Sequence, residues 1–307
     1  MSDLKEIFAT PKVRKFAREL GAKLGEVVGT ARDGRITEDD VKKFVFSSLS
    51  DEKNIAKIEN NKIEKLEYDH EEFGKVEIKD IPRIKKIAAT NLSLSWRIIP
   101  HVTHHDEVDV TELETFRKSL KDNITGEMKK ITPLVFIIKS LVLALKKYPN
   151  FNCSIDDIDI GKMTIKKYFH MGIAVDTKHG LMVPKIRNAD KKNLNELNSE
   201  LKEISQKCRN LKVDKKEFYG GSITITSLGS IGGSFFTPII NYPEVAILGV
   251  GRTYFKQVLV NEKFQKRIML PISLSYDHRI IDGAEAARFC NEISKNLGEN
   301  FAYNLSK

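Results

Sequence analysis

The sequence is poor in cysteine and tryptophan, and it has no long apolar run. Its 307 residues include three cysteines and one tryptophan. Cys153, Cys208 and Cys290 lie far apart, without a Cys-x-x-Cys pair, so their spacing excludes a disulfide framework and a zinc cluster. No apolar stretch reaches the roughly 18 residues that a membrane-spanning helix needs, and the start lacks the pattern of a signal peptide. We therefore expect a soluble protein of a reducing, intracellular compartment, without a membrane partner.

The sequence also has few contiguous runs of like charge. The chain has 51 Lys and Arg against 42 Asp and Glu, a formal net charge of +9. Basic residues are interspersed with acidic ones, and no basic stripe with interleaved aromatic residues is present, which argues against a nucleic-acid partner. Two interpretations of the mild basic excess stay open. One is a solvated lysine-rich surface, and the other is contact with a polyanion such as a phosphorylated cofactor or an acidic protein surface.

Composition divides the chain into two folded blocks and a tether. Hydrophobic residues make up 41% and charged residues 30%, which suggests a packed core together with solvated chain. We place a small helical domain at residues 5–46, a charged flexible linker at 47–72 and a large domain at 73–307. The linker is dominated by Lys, Glu, Asp and Asn, and such a composition buries too little apolar surface to offset its ordering entropy.

The first block carries the signals of two short helices. Thr10-Pro11 is typical of an N-cap followed by the first helical position, where proline is favoured. Gly21 stands where a glycine commonly follows a helix, and Thr37 with Asp40 three residues later has the spacing of a capping box. A block of about forty residues has a core at the lower edge of independent stability.

The second block alternates helical and strand-like segments, which indicates an α/β domain. A helix with a deeply buried apolar pattern opens at Thr132-Pro133, an amphipathic helix covers 194–211, and a last helix follows Asp282-Gly283. The last two predicted strands are apolar enough to lie at the centre of a sheet. We expect strands at 169–175, 181–186, 222–226, 245–250 and 270–275.

The strongest chemical signal follows the last predicted strand, where Asp277, His278 and Arg279 enter a turn. A histidine at a strand end beside a glycine-containing turn is well placed to face a cleft. Because an unperturbed imidazole titrates at about pH 6.5, His278 suits proton transfer at neutral pH. From these residues alone, a hydrogen-bonded structural histidine is an equal alternative.

Histidines also cluster at His101, His104 and His105, beside Asp106. Residues three apart point to opposite faces of a strand, so His101 and His104 would not share a metal, whereas His104 and Asp106 do share a face. No second ligand pair follows at a standard spacing, and we expect no metal. The cysteines lie outside the candidate motifs, which argues against a cysteine nucleophile.

Several motifs in one order resemble a single enzyme family along almost the whole chain. Residues 273–284, Ser-Leu-Ser-Tyr-Asp-His-Arg-Ile-Ile-Asp-Gly-Ala, are similar to the active-site signature of the dihydrolipoamide acyltransferases, the core components of 2-oxoacid dehydrogenase complexes. The other matches are to the family's catalytic domain (98–104, 109–114, 220–229 and 237–249) and to its peripheral-subunit-binding domain (9–41). The resemblance implies a chloramphenicol-acetyltransferase-like α/β catalytic domain, with a mixed sheet and helices, plus a small all-α peripheral-subunit-binding domain.

The resemblance also implies an acyl transfer between two thiols. His278 would be the general base that takes the thiol proton of coenzyme A, and the thiolate would attack the thioester of S-acetyldihydrolipoamide. The hydroxyl of Thr226, where the family usually has serine, would donate to the oxyanion, with Ser227 as the fallback hydroxyl. Asp282 would be a structural carboxylate that pairs with an arginine and holds the histidine loop. The candidates for that arginine are Arg97 and Arg279.

Partners and carriers are implied in the same way. The family forms trimers that assemble into a hollow core of 24 or, less readily, 60 subunits. Its lipoyl group, the acyl carrier, normally sits on an N-terminal lipoyl domain, and here we expect it on a preceding segment or on another chain. The domain at 5–46 would bind the pyruvate decarboxylase component, dihydrolipoamide dehydrogenase, or both. Its candidate contact residues are Arg14, Lys15, Arg18 and Arg35, for which a solvated basic face is the alternative.

Within the family, residues 243–250 and 269–273 most resemble the acetyltransferase of bacterial pyruvate dehydrogenase complexes, which implies a cytoplasmic protein rather than one of the mitochondrial matrix. An acyltransferase of a branched-chain or 2-oxoglutarate dehydrogenase complex is the alternative. A non-catalytic scaffold that tethers dihydrolipoamide dehydrogenase is a further alternative, against which the intact His278, Asp282 and Thr226 argue. A free-standing small-molecule acyltransferase would have no use for a subunit-binding domain.

Overall fold

The computed structural model describes residues 8–45, 68–121, 126–298 and 301–302, and the chain divides into two compact units between Ile78 and Lys79. Most of the predicted linker, residues 47–67, lies outside the described residues, as do residues 5–7 and 46 of the predicted small domain. The domain boundaries that the sequence suggests therefore stay predictions. No helix in the described ranges is long and apolar enough to cross a membrane.

The first unit contains the two short helices that the sequence predicts. Helix α1 (Pro11–Glu19) begins after Thr10, whose hydroxyl accepts a hydrogen bond from the backbone N–H of Val13 at 3.4 Å. Gly21 follows the helix at φ +69°, a left-handed conformation that glycine adopts without strain. Helix α2 covers 38–45, and short 3₁₀ turns lie at Leu24–Glu26 and Arg32–Gly34.

A buried carboxylate, Asp40, ties the loop of this unit to α2. It accepts hydrogen bonds from the hydroxyl and the N–H of Thr30, at 2.7 and 3.1 Å, and from those of Thr37, at 2.8 and 2.9 Å. The Asp40 N–H donates back to the Thr37 hydroxyl at 3.3 Å, which confirms the predicted capping box. The hydrogen bond from the Thr30 hydroxyl, followed by those from Thr37, holds the pKa of Asp40 far below its ordinary range. The apolar core of the unit consists of Val13, Ala17, Val27, Ile36 and Val41.

The second unit is organised around a mixed seven-stranded sheet. The strands are β1 (His101–Asp109), β2 (Cys153–Asp157), β3 (Lys162–Ile165), β4 (Met171–Ile173), β5 (Lys185–Ile186), β6 (Ile223–Ser227), β7 (Ala246–Val250), β8 (Tyr254–Val260) and β9 (Lys263–Asp277). The sheet order is β1-β9-β7-β6-β4-β5, with β8 beside β9, and β2 and β3 form a separate ribbon. Strand β6 is parallel to β4 and β7, and the other pairs are antiparallel. The predicted α/β class with a mixed sheet is confirmed.

Five helices accompany the described part of this unit. They are α3 (Arg83–Ile98), α4 (Thr111–Ser119), α5 (Pro133–Lys147), α6 (Leu194–Arg209) and α7 (Gly283–Leu297). Helix α5 has proline at its first turn and nine buried residues, as its apolar pattern predicts. The predicted strand at 270–275 is the inner part of the longer β9. The sequence analysis did not find α3 or β8, because neither shows a clean apolar period.

The two faces of the sheet differ in chemistry. Leu248, Leu274 and Ile225 belong to the main hydrophobic core, which also contains buried residues of α5 and α7. The opposite face carries Ser273 and Ser275 of β9, and both are fully buried. A polar sheet face without solvent needs partners for every hydroxyl, and the neighbouring strand and a covering segment supply them.

The segment between β6 and β7 covers this polar face through specific hydrogen bonds. The N–H of Phe236 donates to the Ser273 hydroxyl at 3.3 Å, and the N–H of Ile240 donates to Nε2 of His101 at 3.0 Å. The Ser273 hydroxyl also bonds Nδ1 of His105 at 2.8 Å. The sheet therefore offers fixed polar groups next to β6 and next to the end of β9, where the candidate residues lie.

Candidate active site

His278 stands immediately beyond the end of β9, in a tight turn. The backbone N–H of Asp277 donates to Val245 at 2.8 Å and closes the strand against the residue before β7. The carbonyl of Asp277 then accepts from the N–H groups of Ile280 and Ile281, at 3.2 and 3.0 Å. His278 is exposed, and its own N–H donates to the carbonyl of Pro100 at 3.1 Å. The turn thus presents the imidazole at the edge of the sheet while the surrounding backbone is fixed.

The two neighbours of His278 form an ion pair with each other. Arg279 donates through Nε to Oδ1 of Asp277 at 2.9 Å and through Nη2 to Oδ2 at 2.6 Å. The Arg279 N–H adds a third bond to Oδ1 at 3.0 Å. The Asp277 side chain is 1% exposed, and its hydrogen bonds raise the pKa of the Arg279 guanidinium above the ordinary value.

Within the described chain, the Asp282 carboxylate has a different partner from the arginine that the resemblance implies. Its carboxylate accepts a hydrogen bond from the N–H of Glu285 at 2.7 Å and caps α7. Among the described residues it makes no ion pair with an arginine, because Arg279 is engaged by Asp277. Nε of Arg97, the other candidate, donates to the carbonyl of Ser93 within α3 at 3.4 Å. A carboxylate in front of a helix satisfies the orphan N–H groups of its first turn, which explains the difference.

Thr226 lies near the end of β6, where it pairs with Gly249 of β7, one residue beyond the last pair with β4. It is half-buried, and within the described ranges its hydroxyl makes no hydrogen bond. Ser227 is exposed at the end of the strand, and its hydroxyl accepts from the N–H of Gly229 at 3.5 Å. Within the described ranges both hydroxyls keep an unused O–H donor, and Thr226 is the one that is half-buried rather than exposed.

One chain does not bring Thr226 and His278 together. In the sheet register, Thr226 pairs with Gly249 of β7, and Gly249 pairs with Ser273 of β9. Ser273 precedes His278 by five residues, which at the usual rise corresponds to roughly 15 Å along the strands. Two strand spacings add about 10 Å across the sheet. Both groups lie near the C-terminal ends of their strands, and because β6 and β9 run in opposite directions, they lie toward opposite ends of the sheet.

A buried ion pair lies against β6, on the face that carries Thr224 and Thr226, and the sequence analysis missed it. Nζ of Lys185 is 2.5 Å from Oε1 of Glu244, and the two side chains are 1% and 2% exposed. Glu244 also accepts from the hydroxyl of Thr224 at 2.6 Å and from the side-chain amide of Asn241 at 3.2 Å. A Cβ at Gly172 would overlap Thr224 and Lys185, so only glycine allows the strands to approach around this pair. The sequence signal that could have indicated this pair is a single charged residue, Lys185 or Glu244, inside each of two apolar stretches.

Two of the three candidate histidines of β1, His101 and His105, have structural hydrogen-bond partners. Nδ1 of His101 donates to the carbonyl of Ile99 at 2.8 Å, while Nε2 accepts from the N–H of Ile240. This pattern fixes a neutral tautomer. Within the described residues, no group of three or more His, Cys, Asp and Glu side chains is arranged to hold a metal ion.

The candidate partner-binding residues of the first unit are all exposed. Arg14, Lys15 and Arg18 lie on α1, and Arg35 lies in the loop before α2. Nε of Arg14 donates to the carbonyl of Ala9 at 3.2 Å, and Nε of Arg18 donates to that of Arg14 at 3.3 Å. The guanidinium groups of Arg14 and Arg18 therefore lie one helical turn apart on the same face.

Comparison with protein-family models gives a match for each of the two units. A family model described as 2-oxoacid dehydrogenases acyltransferase (catalytic domain) matches residues 74–303, and a model described as e3 binding domain matches residues 7–42. The chain belongs to the 2-oxoacid dehydrogenase acyltransferase family. The family domain contains Thr226, His278 and Asp282, and the smaller match contains the basic residues of α1.

Two similar curated relatives of this acyltransferase-family chain carry the same name. The chain is 47% identical over 294 residues to the dihydrolipoyllysine-residue acetyltransferase component of pyruvate dehydrogenase complex of Cupriavidus necator, covering 93% of this chain and 53% of that protein. The component of the same name from Haemophilus influenzae is 42% identical over 306 residues, covering 95% and 53%. The chain thus spans about half the length of these relatives.

Solved structures give the same grouping. The dihydrolipoamide acetyltransferase of Azotobacter vinelandii matches with a TM-score of 0.73 and 44% identity, over 76% of this chain and 96% of that chain. A structure described as the cubic core of the pyruvate dehydrogenase multienzyme complex matches with the same TM-score, identity and coverage. The fold of the second unit is therefore that of acyltransferase cores in this family.

Proposed function

We propose that this chain transfers an acetyl group from S-acetyldihydrolipoamide to coenzyme A, as the acetyltransferase of a pyruvate dehydrogenase complex. The observation that carries the proposal is a spacing. The Azotobacter vinelandii study addresses a serine, a histidine and an asparagine in the catalytic mechanism, and Thr226, His278 and Asp282 are separated by the same two intervals in this chain. The names of the curated relatives support the acetyl group and the complex.

His278 is the proposed general base. A thiol with a pKa of about 8.5 is mostly protonated at neutral pH, and the thiolate is the nucleophile. The exposed imidazole of His278 takes the proton of the coenzyme A thiol, and the sulfur attacks the thioester carbon. The carbon–sulfur bond to dihydrolipoamide then breaks, and the imidazolium returns its proton to the departing sulfur. Acetyl-coenzyme A and dihydrolipoamide leave, and no acyl-enzyme forms.

Thr226 is the proposed oxyanion donor. The tetrahedral intermediate carries a negative oxygen, and a fixed donor aimed at that position stabilises it by about 3 kcal/mol. The hydroxyl of Thr226 is unused in the described structure and sits on a strand that is paired on both sides. Ser227 stays the fallback, although its hydroxyl already accepts from Gly229. Coenzyme A is the acyl acceptor in this scheme, and a lipoyl group is the carrier.

The proposed site is shared between two copies of the chain. Within one chain Thr226 and His278 lie too far apart to act on one thioester, as the sheet register indicates. A second copy that offers its His278 end to the Thr226 end of the first would complete the site. A head-to-tail contact of this kind closes into a ring, which supports trimers within a cubic assembly of 24 chains.

The first unit is proposed to dock a partner enzyme. Its family match is described as an e3 binding domain, which favours dihydrolipoamide dehydrogenase, with the decarboxylase component as the alternative. The exposed Arg14, Lys15, Arg18 and Arg35 would contact acidic groups on that enzyme. Binding should weaken steeply with added salt, and a Kd for dihydrolipoamide dehydrogenase that is insensitive to both salt and Arg18→Gln would contradict this contact.

Complementation between two inactive variants tests the acetyltransferase proposal. Acetyl transfer from acetyl-coenzyme A to dihydrolipoamide is followed through release of the coenzyme A thiol. The variants His278→Ala and Thr226→Val should each be nearly inactive as pure assemblies. Co-expressed, they form mixed assemblies in which some sites pair an intact Thr226 with an intact His278, so part of the activity should return.

Three results would contradict the proposal. Absence of transfer by the unmodified chain would remove the activity itself. Near-normal transfer by pure His278→Ala would remove the base. Mixed assemblies of the same mass as the unmodified protein but without recovered activity would show that the two residues do not meet between copies.

A further inference from the structure

His278 lies between two residues that bond to each other around it. Asp277 accepts four hydrogen bonds from Arg279, one from its backbone N–H and three from its guanidinium. Because the partners are neighbours of the histidine on either side, the bonds close a small ring through its backbone. The ring is anchored outside the turn, since the Asp277 N–H donates to Val245 and the His278 N–H donates to Pro100.

We propose that Asp277 and Arg279 are positioning residues for His278, which together fix the direction of its imidazole and cancel each other's charge beside it. The proposal goes beyond the assignment of His278 as base, because it replaces the arginine pairing first expected of Asp282. Asp282 is committed to the first turn of α7 through Glu285.

Burial makes this pair different from an ordinary surface ion pair. The Asp277 side chain is 1% exposed and that of Arg279 is 23% exposed. A charge that is removed from water interacts strongly with its neighbours, so either partner alone would change the charge felt by an imidazole next to it. With both present, the turn carries no net charge from this source. The imidazole then has no unbalanced charge on either of its chain neighbours.

Other titratable groups surround the turn and stay constant in the test. The Tyr276 ring lies 5.9 Å from the His278 ring, and His101 of β1 is paired with Asp277 in the sheet register. Tyr242 of the covering segment acts on Arg279, Asp282 stands at the start of α7, and Glu244 precedes the residue that bonds Asp277. None of these groups is changed by substitutions at Asp277 or Arg279.

The sharpest test uses two substitutions of opposite sign. Asp277→Asn leaves the guanidinium unbalanced, which opposes protonation of His278. Arg279→Gln leaves the carboxylate unbalanced, which favours it. The probe is diethyl pyrocarbonate, which modifies only the unprotonated imidazole, and mass spectrometry of the fragment that contains His278 measures the rate against pH. We expect the midpoint, the pH at which the modification rate reaches half its maximum, to fall in Asp277→Asn and to rise in Arg279→Gln. Each shift should be about half a pH unit or more.

The double variant Asp277→Asn/Arg279→Gln is the control for folding. It removes both charges, so its midpoint should return to that of the unmodified assembly even if each single variant is destabilised. Shifts in the same direction in both single variants, or no shift in either, would overturn the charge-balancing role. Because this readout needs no turnover, it stays informative if the proposed acetyl transfer fails.

The rate measurement rests on the proposed function and tests the positioning role. Asp277→Asn and Arg279→Gln should each lower kcat about ten- to a hundredfold, with a smaller change in KM for coenzyme A, since a misdirected base slows the reaction more than it weakens binding. Arg279→Lys keeps the cation but loses the two-pronged contact, so its modification midpoint should stay near normal while kcat falls by an intermediate factor. Full activity in Arg279→Gln, measured beside an inactive His278→Ala, would overturn positioning while leaving the acetyltransferase assignment intact.

Discussion

The turn that carries His278 and the strand that carries Thr226 belong to one sheet, but they give their side chains different exposure and different support. The imidazole is exposed beyond the end of β9 and is fixed through its backbone and its neighbours. The hydroxyl is half-buried in β6, where Thr226 pairs with Gly249 of β7, and it lies on the same strand face as Thr224, which contacts the buried Lys185–Glu244 pair. A general base must reach a mobile thiol and change its protonation state, whereas an oxyanion donor works best when it does not move. The difference in surroundings fits the two different roles proposed for His278 and Thr226.

The comparison predicts that loss of His278, the proposed base, lowers kcat more than any other single substitution. His278→Ala should lower kcat by roughly a thousandfold or more, because the coenzyme A thiol would lose its proton acceptor. The thiol-release assay measures this, with His179→Ala as the matched control, since His179 is also exposed but lies in a loop remote in sequence from both motifs. A loss of the same size in both variants would point to a general effect on folding.

Substitution in the buried Lys185–Glu244 pair should give the largest change in the free energy of unfolding. Lys185→Met leaves Glu244 buried without its cation, which should lower the free energy of unfolding by roughly 3–5 kcal/mol. The double variant Lys185→Met/Glu244→Gln should recover most of that loss, because an amide oxygen can still accept from Thr224. Urea unfolding of the assemblies measures both. Equal destabilisation of the single and double variants would show that packing of Lys185, and not its charge, supports the strand.

The parts of the fold that could be predicted from the sequence are those with strong local signals. Thr10 and Gly21 mark the ends of α1, and the apolar runs at 245–250 and 270–275 mark the two central strands, because each signal acts within a few residues. The candidate residues His278 and Thr226 came from motif resemblance and not from periodicity. Helix α3 could not be foreseen, since only Ser95 of its sixteen residues is buried.

The ion pairs were the main failure, and the reason is physical. Asp282 and Asp277 are both carboxylates near Arg279, and only the turn geometry decides which of them reaches the guanidinium. Lys185 and Glu244 are 59 residues apart in the chain, so no local pattern links them. Contacts between distant segments depend on sheet order, which a single sequence does not specify.

Thr226 provides a smaller and more selective effect than His278. Thr226→Val keeps the branched shape and deletes the donor, so kcat should fall roughly a hundredfold or more while the fold is retained. Thr226→Ser restores a hydroxyl without the methyl group and should keep activity within about threefold of the unmodified chain. The thiol-release assay compares the two at saturating coenzyme A. Equal losses in both variants would mean that the methyl group, through packing in β6, matters more than the donor.

Ser227→Ala should give the smallest effect and decides between the two hydroxyls. The Ser227 side chain is exposed at the end of β6, and its hydroxyl is directed toward the N–H of Gly229. Removal of that long bond should change kcat less than about twofold, since an exposed hydrogen bond contributes little. If Ser227→Ala instead lowered kcat as strongly as Thr226→Val is expected to, the donor would sit at the exposed end of the strand. The contrast between a rigid donor and a reachable base would then be lost, because both groups would occupy exposed strand ends.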